Sequence, residues 1–165
     1  MFYLDLFRAL EAEKVRYLLI GGLALNIHGV ERATMDVDLM LALDADNLAA
    51  FLRAAKALRL APVLPVALAD LADPAIRRSW IEERHLLAFA LRPPEATAPT
   101  LDILIGTDVD FGAAWDRRIE KDLGVTHVQL AAIDDLIALK TGTGRSRDAA
   151  DIEALRRLVR LRPPE

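Results

Sequence analysis

Two aspartates interrupt an apolar run near the start of this chain. Residues 34–41 read Thr-Met-Asp-Val-Asp-Leu-Met-Leu, a pattern typical of a buried strand. Because side chains alternate between the two faces of a strand, Asp36 and Asp38 point the same way, and Val37 and Leu39 pack on the other side. Two adjacent carboxylates are costly to bury without partners. A cation between them removes that cost, so the pair predicts a site for a hard divalent ion such as Mg²⁺.

A third acid repeats the pattern farther along the chain. Residues 100–105 form another apolar run that contains Asp102, and they predict a second strand. If the two strands are neighbours, Asp36, Asp38 and Asp102 converge on a pair of ions. Two metal ions roughly 3.5–4 Å apart can stabilise both the attacking and the leaving oxygen of a phosphoryl displacement. The alternative is that these acids lie at strand ends, where arginines or backbone amides bind them.

A glycine pair follows an earlier apolar run at 17–20. Gly21 and Gly22 separate this predicted strand from a short predicted helix at 23–28, which Gly29 closes as a C′ residue. Glycine permits close approach of the backbone, and a helix N-terminus offers N–H groups to a phosphate. A glycine pair alone is typical of an ordinary turn. Combined with the two aspartates that follow, it predicts a site for a nucleotide phosphate.

Length and composition restrict the class of protein. The 165 residues predict one domain, 1–165, and an apolar fraction of 53% is enough for a buried core. A formal net charge of −4 argues against coating of nucleic acid by charge alone. The chain has no cysteine, which excludes disulfides and thiolate metal sites. Neither a signal peptide nor an apolar run of about 18 residues is present, so we expect a cytoplasmic protein without a membrane span.

The other patterns predict strands and helices that interleave irregularly, which indicates an α+β or mixed-sheet α/β fold. Further strands are predicted at 63–66, 85–91 and 126–130. Further helices are predicted at 3–14, from a cap at Asp44 or Asp46 to Leu58, from a cap at Asp73 over 74–83, and at 111–120, 132–140 and 147–161.

These motifs together resemble the core of the DNA polymerase β-like nucleotidyltransferase superfamily. The matching residues are Leu-Leu-Ile-Gly-Gly-Leu-Ala at 18–24, His-Gly at 28–29 and Arg-Ala-Thr-Met-Asp-Val-Asp at 32–38, with Asp102 as the third carboxylate. Residues 134–140 and 145–152 are similar to the closing motif of a bacterial subgroup. That subgroup includes the AbiEii-like nucleotidyltransferases, toxins of two-gene toxin–antitoxin systems. The resemblance implies a central mixed sheet flanked by helices, with the C-terminal helices beside the site.

The resemblance also implies roles for the matched residues. Gly21 and Gly22 would contact the triphosphate of a nucleoside triphosphate (NTP). Asp36 and Asp38 would bind both of two Mg²⁺ ions, and Asp102 would bind one and help to deprotonate the attacking hydroxyl.

The closing motif implies that Lys140, Arg147, Asp148 and Asp151 border the site, with Lys140 and Arg147 at the nucleotide. The residues alone leave other interpretations open. Lys140 can be a favourable charge at a helix C-terminus. Asp148 can be a helix cap, and Asp151 can pair with a neighbouring arginine.

The expected function is Mg²⁺-dependent transfer of a nucleoside monophosphate from an NTP to a hydroxyl of an RNA such as tRNA, a protein or a small molecule. The toxin-like relatives imply a toxin role and an antitoxin-like partner protein. Leu23 departs from the pattern, since many active members have Ser or Thr there. It favours the alternative of an inactive module that binds a nucleotide or a partner. A third interpretation is a metal-dependent phosphohydrolase that uses the same acids.

Overall fold

The computed structural model describes residues 1–164, which form seven strands and seven α-helices. The strands are β1 (Tyr17–Ile20), β2 (Val37–Leu41), β3 (Ala61–Pro62), β4 (Ala88–Arg92), β5 (Leu101–Leu104), β6 (Ile119–Asp122) and β7 (His127–Leu130). The helices are α1 (Phe2–Ala12), α2 (Gly21–His28), α3 (Ala45–Ala57), α4 (Pro74–Arg84), α5 (Phe111–Asp116), α6 (Ile133–Lys140) and α7 (Ser146–Leu161), with a 3₁₀ helix at Leu68–Ala72.

All the strands join one mixed sheet in the order β3-β4-β5-β2-β1-β7-β6. β2 is antiparallel to β1 on one side and parallel to β5 on the other. β7 is parallel to β1, whereas β3, β4 and β5 form antiparallel pairs and β6 is antiparallel to β7. The predicted fold class, a mixed sheet flanked by helices, is therefore confirmed.

One face of the sheet forms the hydrophobic core. Val37, Leu39 and Ile103 are fully buried on this face. Phe89 of β4 is the pairing partner of Ile103, and Trp80 of α4 stacks on Phe89 with ring centroids 5.1 Å apart. Full burial of a side chain of this size contributes about 1.5–3 kcal/mol. The alternation of the strands then directs their even-numbered residues, including the acids, to the opposite face.

Capping residues set the predicted helix boundaries. Asp44 accepts a hydrogen bond from the backbone N–H of Asn47 at 3.0 Å and begins α3. Asp73 accepts from Ala75 at 2.8 Å and begins α4. Gly29 ends α2 with φ = +111°, in the left-handed region expected of a C′ glycine.

The predicted strand at 63–66 is wrong. The strand here is β3, which has only two residues, and Val63 adds one backbone hydrogen bond to Ala90 O at 3.0 Å before the chain leaves the edge. Pro62 and Pro65 explain the short strand, because proline has no N–H to donate to a sheet. The next strand, β4, begins at Ala88 rather than at residue 85.

The predicted helix at 111–120 is too long. α5 ends at Asp116, and the residues that follow form β6. β6 pairs with β7 through a tight turn, in which Asp122 Oδ1 accepts a hydrogen bond from the N–H of Gly124 at 2.7 Å. Pairing with a later strand outweighs the local helical pattern of this charged segment. Within residues 1–164, no helix is long and apolar enough to cross a bilayer.

Candidate functional site

Three aspartates converge where β2 and β5 begin. Asp38 and Asp102 are direct partners in the parallel register of these strands, which are about 4.8 Å apart in such a sheet. Both are half-buried. Asp36 is exposed and lies one residue before β2, and its Oδ1 accepts a hydrogen bond from Thr100 Oγ1 at 3.0 Å. The structure therefore brings the three acids of the two motifs to one end of two adjacent strands.

The three carboxylates repel one another. Burial, followed by the negative charges of Asp102 and Asp36, raises the pKa of Asp38 to about 6. Burial and the charge of Asp36 also raise the pKa of Asp102. The positive charges of Lys140 and Arg32 oppose the rise at Asp38 without cancelling it. Near neutral pH the protein therefore holds concentrated negative charge that a cation would stabilise.

The donor set fits Mg²⁺, although no group of three acidic or histidine side chains in residues 1–164 is already arranged around a cation position. Asp36 accepts a hydrogen bond from Thr100 Oγ1, and its charge acts on the other two acids. All the donors are carboxylate oxygens, which is the chemistry that Mg²⁺ prefers. The raised pKa values of Asp38 and Asp102 reflect burial and the repulsion between negative charges that an ion would neutralise. Asp36, Asp38 and Asp102 are the residues that would hold it.

The glycine turn packs directly against Asp38. Ile20, the last residue of β1, is the pairing partner of Asp38 across the sheet. Gly21 follows with φ = +70°, a conformation that favours glycine. A Cβ atom at Gly21 would lie 2.1 Å from Asp38 Oδ2, so no side chain fits there without moving the carboxylate. The predicted phosphate-binding turn therefore borders the acids.

The first turn of α2 has no side-chain cap. Its N-cap residue is Ile20, which cannot accept a hydrogen bond through its side chain. A phosphate could bind the N–H groups of this turn. A Cβ at Gly22 would lie 2.7 Å from Thr34 Oγ1 and 3.1 Å from Arg32 Nη1, so the segment before β2 lies against the turn. Leu23 packs partly buried against the core and offers no hydroxyl.

The C-terminal helices pack beside this site through buried ion pairs. Lys140, the last residue of α6, has a side chain only 11% exposed. Its Nζ lies 3.2 Å from Asp148 Oδ1 and 2.9 Å from Asp151 Oδ2 on α7. The same Oδ2 lies 3.0 Å from Arg32 Nη1. We call these four side chains the Lys140 cluster, and they join both C-terminal helices to the segment before β2.

Asp148 is not a helix cap, which corrects that interpretation. α7 begins at Ser146, and the Asp148 carboxylate accepts hydrogen bonds from Thr143 Oγ1 and Arg145 Nε, each at 2.7 Å. Burial alone would raise the pKa of Asp148, but hydrogen bonds from Thr143 and Lys140 outweigh it and lower the pKa. Arg147 is exposed and forms no ion pair in the described chain, so its role at the nucleotide stays a prediction.

Reasoning from the sequence gave no role to Arg32. A signal was available, because Arg32, Thr34, Asp36 and Asp38 stand at alternate positions and can share one face of an extended segment. The partner of Arg32 is Asp151, which lies far away in the sequence. No local pattern connects the two.

The overall structure is similar to solved structures of nucleotidyltransferases. The lincosamide antibiotic adenylyltransferase LnuA in its lincomycin-bound form is 16% identical, with a TM-score of 0.58 over 95% of this chain and 94% of that one. An antigenic nucleotidyltransferase-like protein from Paracoccidioides brasiliensis is 19% identical, with a TM-score of 0.56 over 98% of this chain and 75% of that one. The chain has the nucleotidyltransferase fold. No family model and no curated protein sequence matches it.

At such low identity the similarity shows this nucleotidyltransferase fold and not the activity. Because each alignment spans nearly the whole of this chain, the fold includes α6 and α7 as well as the sheet. The acids, the glycine turn and the Lys140 cluster all lie within it.

Proposed function

We propose that this chain transfers a nucleoside monophosphate from an NTP to a hydroxyl group, with release of pyrophosphate. The observation that carries the proposal is the position of Gly21 against Asp38, itself the strand partner of Asp102. This arrangement puts oxygen ligands for divalent cations beside a turn suited to phosphate. The nucleotidyltransferase fold supports the same reaction class.

The transfer needs little covalent chemistry from the protein. The acceptor oxygen bonds to the α-phosphorus, the bond from that phosphorus to the bridging oxygen breaks, and pyrophosphate leaves with the electron pair. The acceptor proton passes to Asp102, the carboxylate to which the resemblance assigns the deprotonation, and then to solvent. Bound Mg²⁺ supplies neutralisation of the charge that develops on the phosphate oxygens. Asp36, Asp38 and Asp102 would hold the ions, and the turn at Gly21 and Gly22 would orient the triphosphate.

Three classes of acceptor fit the proposal. The AbiEii-like resemblance favours a tRNA end, a cytoplasmic toxin role and an antitoxin-like partner. A protein hydroxyl is the second class. LnuA is a lincosamide antibiotic adenylyltransferase whose structure holds lincomycin, and that likeness favours a small-molecule acceptor. A transfer assay with all three classes would distinguish them.

The test uses each of the four NTPs, labelled at the α-phosphate, with Mg²⁺ or Mn²⁺. Total tRNA, cell-lysate protein and a panel of small alcohols serve as acceptors. We expect the wild-type chain to label one class, and we expect Asp38→Asn and Asp102→Asn to reduce labelling on the order of 10³-fold. Asp46→Asn is the matched control, because Asp46 is an exposed acid in the first turn of α3. Labelling that is equal in wild type and both site variants contradicts the assignment.

Leu23 keeps a second candidate function open, that of a module which binds nucleotide without turnover. Calorimetry with each Mg²⁺–NTP complex separates the two. Binding without labelled product supports the module, whereas release of free phosphate instead of a labelled acceptor indicates a phosphohydrolase.

A further inference from the structure

Two cationic side chains share one buried carboxylate oxygen beside the glycine turn. Lys140 Nζ and Arg32 Nη1 lie 2.9 Å and 3.0 Å from Asp151 Oδ2. The exposed fraction of the side chain is 11% for Lys140, 17% for Arg32 and 8% for Asp151. Like charges held this close repel each other, and one carboxylate neutralises only one of them. Asp148 does not fully neutralise the remaining positive charge, because it also binds Arg145.

Both cations keep hydrogen-bond donors that no protein group uses. Asp151 Oδ2 forms no hydrogen bond of normal geometry in the described chain, so its two close contacts are ion pairs held by charge. Lys140 donates one hydrogen bond, to Asp148 at 3.2 Å, although an ammonium group has three N–H donors. The Arg32 side chain donates none within residues 1–164, although a guanidinium has five. These donors can bind a further anion.

The free donors lie at the candidate nucleotide site. Arg32 Nη1 is 3.1 Å from the position of a Cβ on Gly22, in the uncapped first turn of α2. The charges of Lys140 and Arg32 also act on Asp38. A polyphosphate that binds the glycine turn would therefore be close to both cations.

We propose that Arg32 binds the polyphosphate of the nucleotide beside Lys140, which the resemblance already assigns to the nucleotide, and that Asp151 is the residue that positions both cations. This inference rests on the proposed function. Arginine binds phosphate through several donors in a plane, and lysine adds a point charge. Asp151 holds the two cations side by side before the substrate arrives, which lowers the ordering cost of binding. It also makes α7 a necessary part of the nucleotide site, because Asp151 lies on this helix.

The first experiment measures binding of inorganic tripolyphosphate with Mg²⁺ by calorimetry, which does not depend on turnover. Loss of one charge-assisted hydrogen bond weakens binding by roughly 10- to 100-fold. We expect a loss of that size for Arg32→Gln and a smaller loss for Arg32→Lys. Arg53→Gln is the matched control, because Arg53 also pairs with an acid, Glu13, but on the exposed side of α3. Equal affinity of wild type and Arg32→Gln overturns the inference, and so does wild-type protein that does not bind tripolyphosphate.

The second experiment separates positioning from structural support. Asp151→Asn keeps the shape of the side chain and removes the charge that holds both cations. We expect its KM for NTP to rise roughly 10-fold or more with kcat changed much less. The melting temperature monitors the fold, and Glu153→Gln, which breaks an exposed ion pair on the same helix, is the matched control. An unchanged KM for Asp151→Asn, or equal losses in both variants, overturns the positioning role.

The two experiments and the transfer assay together distinguish failure of this inference from failure of the proposed function. If the wild type binds tripolyphosphate through Arg32 but transfers no label to any acceptor, the transferase proposal fails and the phosphate site stands. If the wild type transfers label and the Arg32 and Asp151 variants keep its KM, the transferase proposal stands and the phosphate site fails.

Discussion

The Asp38 side chain restricts which residue can occupy position 21. Its carboxylate occupies the space that any side chain at Gly21 would need, and it is also the strand partner of Asp102. Glycine is therefore required twice at position 21, once for the backbone conformation and once for the space. The effects on stability of substitutions at Gly21 and Asp38 should therefore depend on each other.

Gly21→Ala tests this coupling. The left-handed backbone costs an alanine about 1 kcal/mol, and the contact with Asp38 adds about 1–3 kcal/mol, so we expect a loss of about 2–4 kcal/mol in unfolding free energy. Gly124→Ala is the control, because Gly124 has φ = +84° with no atom within 4 Å of an added Cβ. Urea titration should show the smaller loss there. In the double variant with Asp38→Ala, part of the Gly21→Ala loss should disappear, and full additivity would contradict the predicted contact.

The raised pKa of Asp38 predicts that the acid destabilises the metal-free protein. The folded pKa is about 6 against an ordinary 3.8, so the folded chain binds more protons between these values and loses stability as pH rises through 6. A shift of this size corresponds to about 3 kcal/mol near pH 8. Asp38→Asn should therefore raise the unfolding free energy there in chelator and have little effect near pH 4, whereas Asp46→Asn should be neutral. A destabilised Asp38→Asn near pH 8 would contradict this prediction.

At the scale of elements, strands with a strong apolar pattern were predictable and edge strands were not. β1, β2 and β5 are buried in the middle of the sheet, so their apolar runs identify them directly. β3 and β6 lie at the two edges. The charged residues of β6 have no apolar alternation, and only pairing with β7 makes them a strand. Edge strands carry such charges because they face solvent.

His28 connects two elements that flank the site. It ends α2 and its Nε2–H donates to Ala131 O at 2.8 Å, just after β7. Burial lowers the pKa of His28 below the ordinary 6.5, so below that pH the unfolded chain binds more protons and the folded state loses stability.

We expect His28→Gln, which can keep the hydrogen bond, to lose less stability than wild type between about pH 7.5 and about pH 5.5. His127→Gln should alter the profile in the opposite sense, because a hydrogen bond to Glu11 raises the pKa of His127. Urea titrations of the three proteins at several pH values measure both differences. Parallel pH profiles for wild type and His28→Gln would contradict the assignment of a buried neutral histidine.

At the scale of the whole molecule, the sequence predicted the acids of the candidate site, and the resemblance put the C-terminal helices beside it, but neither identified Arg32 as a partner of Asp151. Asp38 and Asp102 could be identified because a carboxylate in an apolar strand is an anomaly that a single sequence reveals. Asp36 stands two residues before Asp38 in the same apolar run, although the structure places it just outside β2. The ion pairs of Lys140 and Arg32 with Asp151 could not be identified, because they depend on how α6 and α7 pack against the segment before β2. A long-range ion pair between ordinary surface residue types leaves no local pattern.

This packing predicts that nucleotide binding stabilises the chain as one unit. The site draws on β1, α2, β2 and β5 and on both C-terminal helices, so a bound NTP must be released before these parts separate. At a free ligand concentration about 100 times Kd, binding adds about 2.7 kcal/mol, which for a chain of this length raises the melting temperature by roughly 5–10 °C. We expect this rise for wild type with Mg²⁺ and the NTP that it uses. Asp38→Asn should show almost none, because it loses an ion ligand. Asp151→Asn should show a reduced rise that recovers at higher nucleotide concentration, because it keeps the ion site and loses only affinity. A full rise in Asp38→Asn at the same concentration would mean that the nucleotide binds elsewhere on the chain.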